Sequence, residues 1–208
     1  MNRPHTDERI VLASNNTGKV REFSQLLAQS RIQVLPQSQL GVPEAEETGL
    51  SFVENAILKA RNAAVHSGLA AIADDSGLEV DALGGAPGIY SARYAGEGAD
   101  DGRNIRKLLA DLEGVPAAER KAAFRCVLVL YYPGGRREAF EGRWEGRIGE
   151  APAGNGGFGY DPVFFLPERG LTVAELPAEV KNKISHRAIA FAKLEAWLES
   201  QSNRENGA

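Results

Sequence analysis

Asp74 and Asp75 stand side by side directly after the apolar stretch Ala70–Ala73, and Ser76 and Gly77 follow them. Two adjacent carboxylates at the end of an apolar run need a partner for their charge. A divalent cation is one such partner, because Mg²⁺ is held through one or two carboxylates together with substrate phosphates. A solvated Asp-Asp-Ser-Gly turn is the other reading, since these residue types favour turns. Which reading holds depends on what else the chain supplies.

Four further groups bear on that question. Ser14-Asn15-Asn16-Thr17-Gly18-Lys19 lies between an apolar run and a helical pattern. Backbone N–H groups at a helix start attract phosphate, and Lys19 adds a mobile cation. The segment is like a P-loop but is not one: G-x-x-x-x-G-K followed by Ser or Thr would need Gly at Ala13 and a hydroxyl at Val20. An ordinary polar strand–helix turn stays open as the alternative. Glu44, Glu46 and Glu47 form an acidic loop that either supports a helix dipole or adds a carboxylate to a metal, and Lys59 is either solvated or reaches a phosphate.

The third group, Gly154 to Asp161, packs four glycines into eight residues around Phe158, Gly159 and Tyr160. Glycines let a backbone approach a ligand closely, and the aromatic rings offer faces on which a base stacks. The fourth runs from Lys181 to Arg187 and places Ser185-His186-Arg187 across the start of the last helix. Cations there oppose the helix dipole, and a local cost without a visible local gain points to function. A phosphate cradle, a carboxylate pair, an aromatic loop and a donor-rich helix start together describe a nucleoside triphosphate with Mg²⁺. No Cys–His or Ser–His–Asp set has an obvious nucleophile setting, which argues against covalent acyl chemistry.

Periodicity supplies the elements that must carry these groups. Strands are expected at Arg9–Ala13, Ile32–Leu35, Ala70–Ala73, Ala122–Tyr132, a return strand to about Gly146, and Val163–Leu166. Helices are expected over Gly18–Gln29, from Ser51 with Glu54 completing a capping box, over Asp100–Leu112, and from Ser185 onward. The second helix should turn Val53, Ala56, Ile57, Ala60 and Ala64 inward, and the last Ile189, Ala190, Leu194, Trp197 and Leu198. This alternation with an intervening hairpin predicts an α/β fold on a mixed sheet, in one domain over residues 1–208 with two lobes around a cleft. The core is expected over about residues 9–199, with flexible polar tails.

A chain of 208 residues buries roughly 70% of its unfolded surface without disulfide or zinc. The net charge of −4 argues against a nucleic-acid or anionic-membrane surface. The single cysteine, Cys126, sits in an apolar run, which suits a core position and a reducing cytoplasm. No signal peptide or membrane span is apparent.

These motifs resemble the inosine/xanthosine triphosphate pyrophosphatase family. The resemblance runs from Ile10 to about Leu198 through Ser14–Lys19, Glu46–Gly49, Phe52–Ala60, Ala73–Leu78, Gly84–Arg93, Gly156–Pro162 and Ser185–Arg187. It implies an elongated α/β fold with a central nucleotide cleft and usually a homodimer. It implies Mg²⁺-dependent cleavage of ITP, dITP and XTP to a monophosphate and pyrophosphate, which clears them from the nucleotide pool before incorporation into DNA or RNA. By motif match, Ser14, Asn15, Asn16, Thr17, Gly18 and Lys19 cradle phosphate, and Lys59 and Lys181 hold phosphates. Glu46 and Asp75 serve the metal, Asp75 activates water with Asp74 beside it, and Ser76 touches substrate. Phe158, Gly159, Tyr160 and Asp161, with His186 and Arg187, hold the purine. A P-loop-like enzyme releasing the γ-phosphate, a binding module without catalysis, and a related enzyme acting on pyrimidine nucleotides are the competing readings.

Overall fold

The structure is a computed structural model that describes residues 9–27 and 33–206. The N-terminal extension before Arg9, Ile32 and the last two residues lie outside the described residues. Seven strands hydrogen-bond in the order β2-β1-β3-β4-β5-β6-β7. They are β1 (Arg9–Leu12), β2 (Gln33–Pro36), β3 (Ala70–Val80), β4 (Lys121–Tyr131), β5 (Arg137–Ile148), β6 (Phe164–Leu166) and β7 (Leu171–Thr172). β1 runs parallel to β2 and β3, whereas β6 pairs antiparallel with β5 and β7, so the sheet is mixed as expected. Five helices accompany it: α1 (Thr17–Leu27), α2 (Phe52–Ser67), α3 (Asp101–Asp111), α4 (Ala178–Ile184) and α5 (His186–Asn206).

The chain divides into two compact units, Met1–Asp75 with Val127–Phe140, and Ser76–Cys126 with Glu141–Ala208. In the first unit the apolar residues of β1 and Ala71, Ile72 and Ala73 of β3 are buried, with Val11, Ala71 and Ala73 fully so. α2 lies against β1. Its buried face is Phe52, Asn55, Ala56, Ala60, Ala63 and Ala64, while Val53 and Ile57 are only half-buried. That rotates the expected stripe, because the alanines allow closer approach to a strand than Val and Ile do. Ser51 does cap α2 by accepting from Glu54 N, but the Glu54 carboxylate accepts from Leu50 N, one residue before the expected reciprocal partner.

The second unit has its own core, in which Leu78, Leu108, Leu112, Phe124, Ile148 and Phe164 pack together. Cys126 is buried as expected. α5 buries Ala190, Phe191 and Leu194 and leaves Ile189, Trp197 and Leu198 half-buried. It continues helically to Asn206, past the point where a polar tail was expected. Two elements close together in sequence escaped the periodicity, the two-residue β7 and the seven-residue α4, both too short to show a period.

Candidate active site

The parallel pairing of β1 with β3 brings the first group together. Leu12 lies opposite Ile72, and Ala13 N donates to Ile72 O at 2.8 Å. The chain leaving β1 at Ser14 therefore starts beside Ala73 and Asp74, at the carboxyl end of β1 and partway along β3. Asn16 accepts from Lys19 N at 3.0 Å and so caps α1, and Asn15 accepts from Gln37 Nε2 at 2.9 Å. The short side chains of this loop thus shape its turn, while Asn15, Asn16 and Thr17 stay exposed. Lys19 reaches across to Asp74, with Nζ 3.2 Å from Oδ1.

Asp74 and Asp75 are not in a turn. β3 runs through them to Val80, and they are 1% and 6% exposed. The strand can continue because each carboxylate has a lysine. Lys59, delivered by α2, donates to Asp75 Oδ1 at 2.8 Å and to Glu47 Oε1 at 2.7 Å. Three carboxylates against two ammonium groups leave this cluster one negative charge in excess, and it holds its protons accordingly. Burial pushes the Asp75 carboxyl up from its ordinary range, and Lys59 and Lys19 offset this only in part. Burial alone would lower Lys59, but Asp75, Asp74 and Glu47 outweigh it and hold the ammonium charged.

Asp75 Oδ2 is buried and has no hydrogen-bond partner among the described residues. A buried carboxylate oxygen left open in a cluster with net negative charge fits a hard cation. Among the described residues no three His, Cys, Asp or Glu side chains converge as a ready-made cage. The cluster therefore suits an ion that draws its remaining ligands from substrate and water, as Mg²⁺ does. Glu46 is exposed on the acidic loop, and it is its neighbour Glu47 that reaches Lys59. The loop closes where Gly49 N donates to Asn55 Oδ1 at 2.8 Å, and a Cβ at Gly49 would meet Asn55 Oδ1 and Glu54 Cβ at 2.7 Å.

The second unit gathers the other candidates. Arg187, buried at the start of α5, donates from Nη2 to Ser76 Oγ at 2.8 Å. Its guanidinium lies 5.4 Å from the Phe158 ring centroid, and Lys181 Nζ lies 4.7 Å from the same centroid. Lys181 belongs to α4 and donates to Asp161 Oδ2 at 2.5 Å, so it stands with the aromatic loop. Asp161 Oδ2 also accepts from Phe158 N at 2.9 Å, and a Cβ on Gly157 would run into that same oxygen. Tyr160 is buried, its hydroxyl donates to Ser91 O at 2.8 Å, and burial, with Tyr94 and Asp101 nearby, pushes its phenol up. Ser185 caps α5 by accepting from Ala188 N. His186 is buried with its ring stacked 4.9 Å from Phe124 and 6.4 Å from Trp144, so it serves the core as well as the helix start.

Two residues of this arrangement, Asp101 and Gly142, had no motif to reveal them. Asp101 accepts from the distant backbone N–H of Gly159, while Asn55 accepts from Gly49 N nearby and Ser91 accepts from the Tyr160 hydroxyl through its own backbone carbonyl. Gly142 of β5 is required because any Cβ there would run into the His186 carbonyl oxygen, with Ala190 N at 2.8 Å. The spacing Gly142-x-x-x-Gly146 inside an otherwise bulky strand was the available signal.

The sequence and the fold are similar to those of known proteins. The model of the Ham1 family matches residues 10–197. The chain is 59% identical over 197 residues to a dITP/XTP pyrophosphatase of Methylococcus capsulatus, covering 91% of this chain and 96% of that protein. It is 55% identical over 194 residues to a dITP/XTP pyrophosphatase of Escherichia coli O157:H7, covering 90% and 96%. Among solved structures, a HAM1 protein from Coxiella burnetii superposes with a TM-score of 0.86 at 46% identity, over 93% of this chain and 99% of that one. The Staphylococcus aureus Ham1 protein superposes with a TM-score of 0.84 at 45% identity, over 93% and 100%.

Proposed function

The chain belongs to the Ham1 family, and from that premise we propose that it hydrolyses the non-standard purine nucleoside triphosphates ITP, dITP and XTP to the monophosphate and pyrophosphate. The observation that carries this reading is the division of labour within Asp75: Oδ1 is tied to Lys59, and Oδ2 is buried and open. The relatives named dITP/XTP pyrophosphatase support the choice of substrate.

In this reading the Ser14–Lys19 loop and the first turn of α1 take phosphate oxygens through backbone N–H groups and the Lys19 ammonium. Asp75, with Glu46, would hold Mg²⁺, which when bound supplies charge neutralisation on the phosphate oxygens. Lys59 fixes the Asp75 rotamer through Oδ1 and leaves Oδ2 to face both the metal and the attacking water, whose proton the carboxylate would take. Asp74 holds Lys19 in place. Phe158 offers a face to the base, and Arg187 and His186 offer donors to its oxygen at purine position 6. We further propose that the reaction clears these nucleotides from the cytoplasmic pool, and that the enzyme works as a homodimer, which sedimentation at micromolar concentration will show.

The test is a panel of nucleoside triphosphates incubated with Mg²⁺ and resolved by product. Pyrophosphate and monophosphate from ITP, dITP and XTP are expected, with little turnover of ATP. Orthophosphate as the sole first product, or full activity in excess EDTA, overturns the reading.

A further inference from the structure

The loop that carries Phe158 is held from three sides. Asp161 accepts from Phe158 N, and Tyr160 donates to Ser91 O, as described above. Between them sits Gly159, half-buried and in the left-handed region at φ +61°. Its N–H donates to Asp101 Oδ2 at 2.6 Å, across 58 residues of chain. A bond that short to a carboxylate is of the charge-assisted kind.

Asp101 has no local reason for this contact. Its neighbour Asp100 already caps α3 by accepting from Arg103 N at 2.7 Å. Asp101 itself is exposed, so burial does not place it either. The start of α3 is in turn immobilised by Asn104, which is buried, accepts from Ala95 N at 2.8 Å and donates to Ala92 O at 3.1 Å. Those backbone groups belong to the segment whose Ser91 carbonyl receives Tyr160. Ser91 is fixed as well, since its hydroxyl donates to Gly88 O and accepts from Leu78 N of β3. Asp101 and Ser91 are therefore two points of one rigid support, and they grip the loop on either side of the Gly159–Tyr160 peptide.

We propose that Asp101 is a positioning residue for the reaction: through Gly159 it sets the Phe158 face against the base and thereby the affinity for the purine end of the nucleotide. This rests on the reading of Phe158 as the base platform given above. With the bond gone, Gly159 regains its conformational range and the platform must be ordered when nucleotide binds. That cost falls on binding and spares the chemistry at Asp75.

Steady-state kinetics with ITP on Asp101→Ala, Asp101→Asn, Phe158→Ala and the Asp101→Ala/Phe158→Ala double variant test this, together with amide exchange at Gly159. Asp101→Ala should raise KM about five- to thirtyfold, the range set by one charge-assisted hydrogen bond, with kcat within about twofold. Asp101→Asn keeps an acceptor oxygen but loses the charge, and its KM should fall between wild type and Asp101→Ala. The Gly159 amide should exchange faster in Asp101→Ala, and adding Asp101→Ala to Phe158→Ala should raise KM no further. Asp101→Ser, too short to reach Gly159, gives the same reading if Asp101→Ala folds poorly. An unchanged KM in Asp101→Ala, an equal defect in Asp101→Asn, or a full further increase on the Phe158→Ala background overturns the proposal. A wild-type KM in Phe158→Ala overturns the platform and this proposal with it, whereas a raised KM there with a normal Asp101→Ala overturns the proposal alone.

Discussion

The Lys59 ammonium lies 2.8 Å from Asp75 Oδ1, in a cluster whose carboxylates outnumber its lysines. The pair is too buried to be a surface ornament, since the two side chains are 13% and 8% exposed. A strand carrying two adjacent aspartates is tolerable only because α1 and α2 each send one lysine to it.

Asp75→Asn removes the proposed base, and general-base loss alone lowers rates by about 10²–10⁴-fold. The same change should stabilise the metal-free protein. Asp75 has its pKa raised on folding, chiefly by burial, so the native state binds this proton more tightly than the unfolded chain does. Stability linked to the protonated form is complete below the ordinary carboxylate range and is lost as pH rises through the folded pKa. Once pH has risen past the folded pKa the ionised carboxylate costs stability, and a neutral isostere relieves the cost. Thermal melts in EDTA at pH 7 should place Asp75→Asn above wild type; a lower melting temperature would show that the Lys59 pair dominates instead.

Arg187→Ala should narrow base selectivity. Arginine carries only donors, and the 6-oxo group of hypoxanthine or xanthine accepts where adenine presents an amino donor. Leaving a buried polar group unpaired costs about 1–3 kcal/mol, roughly fivefold to 150-fold in discrimination. The loss in kcat/KM should be far larger for ITP than for ATP. Equal losses for both would make Arg187 a phosphate-binding or purely structural group.

Gly142→Ala should be destabilising out of proportion to one methyl group. The added Cβ runs into the His186 backbone carbonyl, which cannot swing away as a side chain end can. Overpacking of this kind costs about 1–3 kcal/mol. Because the displaced residue precedes Arg187, kcat/KM for ITP should fall as well. Urea denaturation and kinetics on the variant check both outcomes, and a wild-type midpoint would refute the close approach of β5 to the start of α5.

Tyr94 donates to Asp111 Oδ2 at 2.5 Å, and burial together with that carboxylate raises its phenol to about 12. Its contribution to stability is full below its unfolded pKa of about 10 and is lost as pH climbs toward 12. Unfolding midpoints measured from pH 9 to 12 should fall more steeply for wild type than for Tyr94→Phe. Parallel curves would show that the hydrogen bond does not persist in solution.

The residue types decided a good deal before any coordinates. The apolar runs of β1 and β4 announced strands, the Ser51 cap announced α2, and the order of Ser14–Lys19, Asp74–Asp75, Phe158–Asp161 and Ser185–Arg187 announced a phosphate-and-purine chemistry, because local propensity and functional-group chemistry are written in short stretches of chain. What the chain could not show by itself was which charge answers which. That Asp74 takes Lys19 while Asp75 shares Lys59 with Glu47 follows from the parallel register of β1 with β3 and from the rotation of α2, both set by packing between residues far apart in sequence. The same physics hid Asp101 and Gly142: a carboxylate on a helix start and a glycine in a strand look ordinary until the fold brings the Gly159 amide to one and the His186 carbonyl to the other.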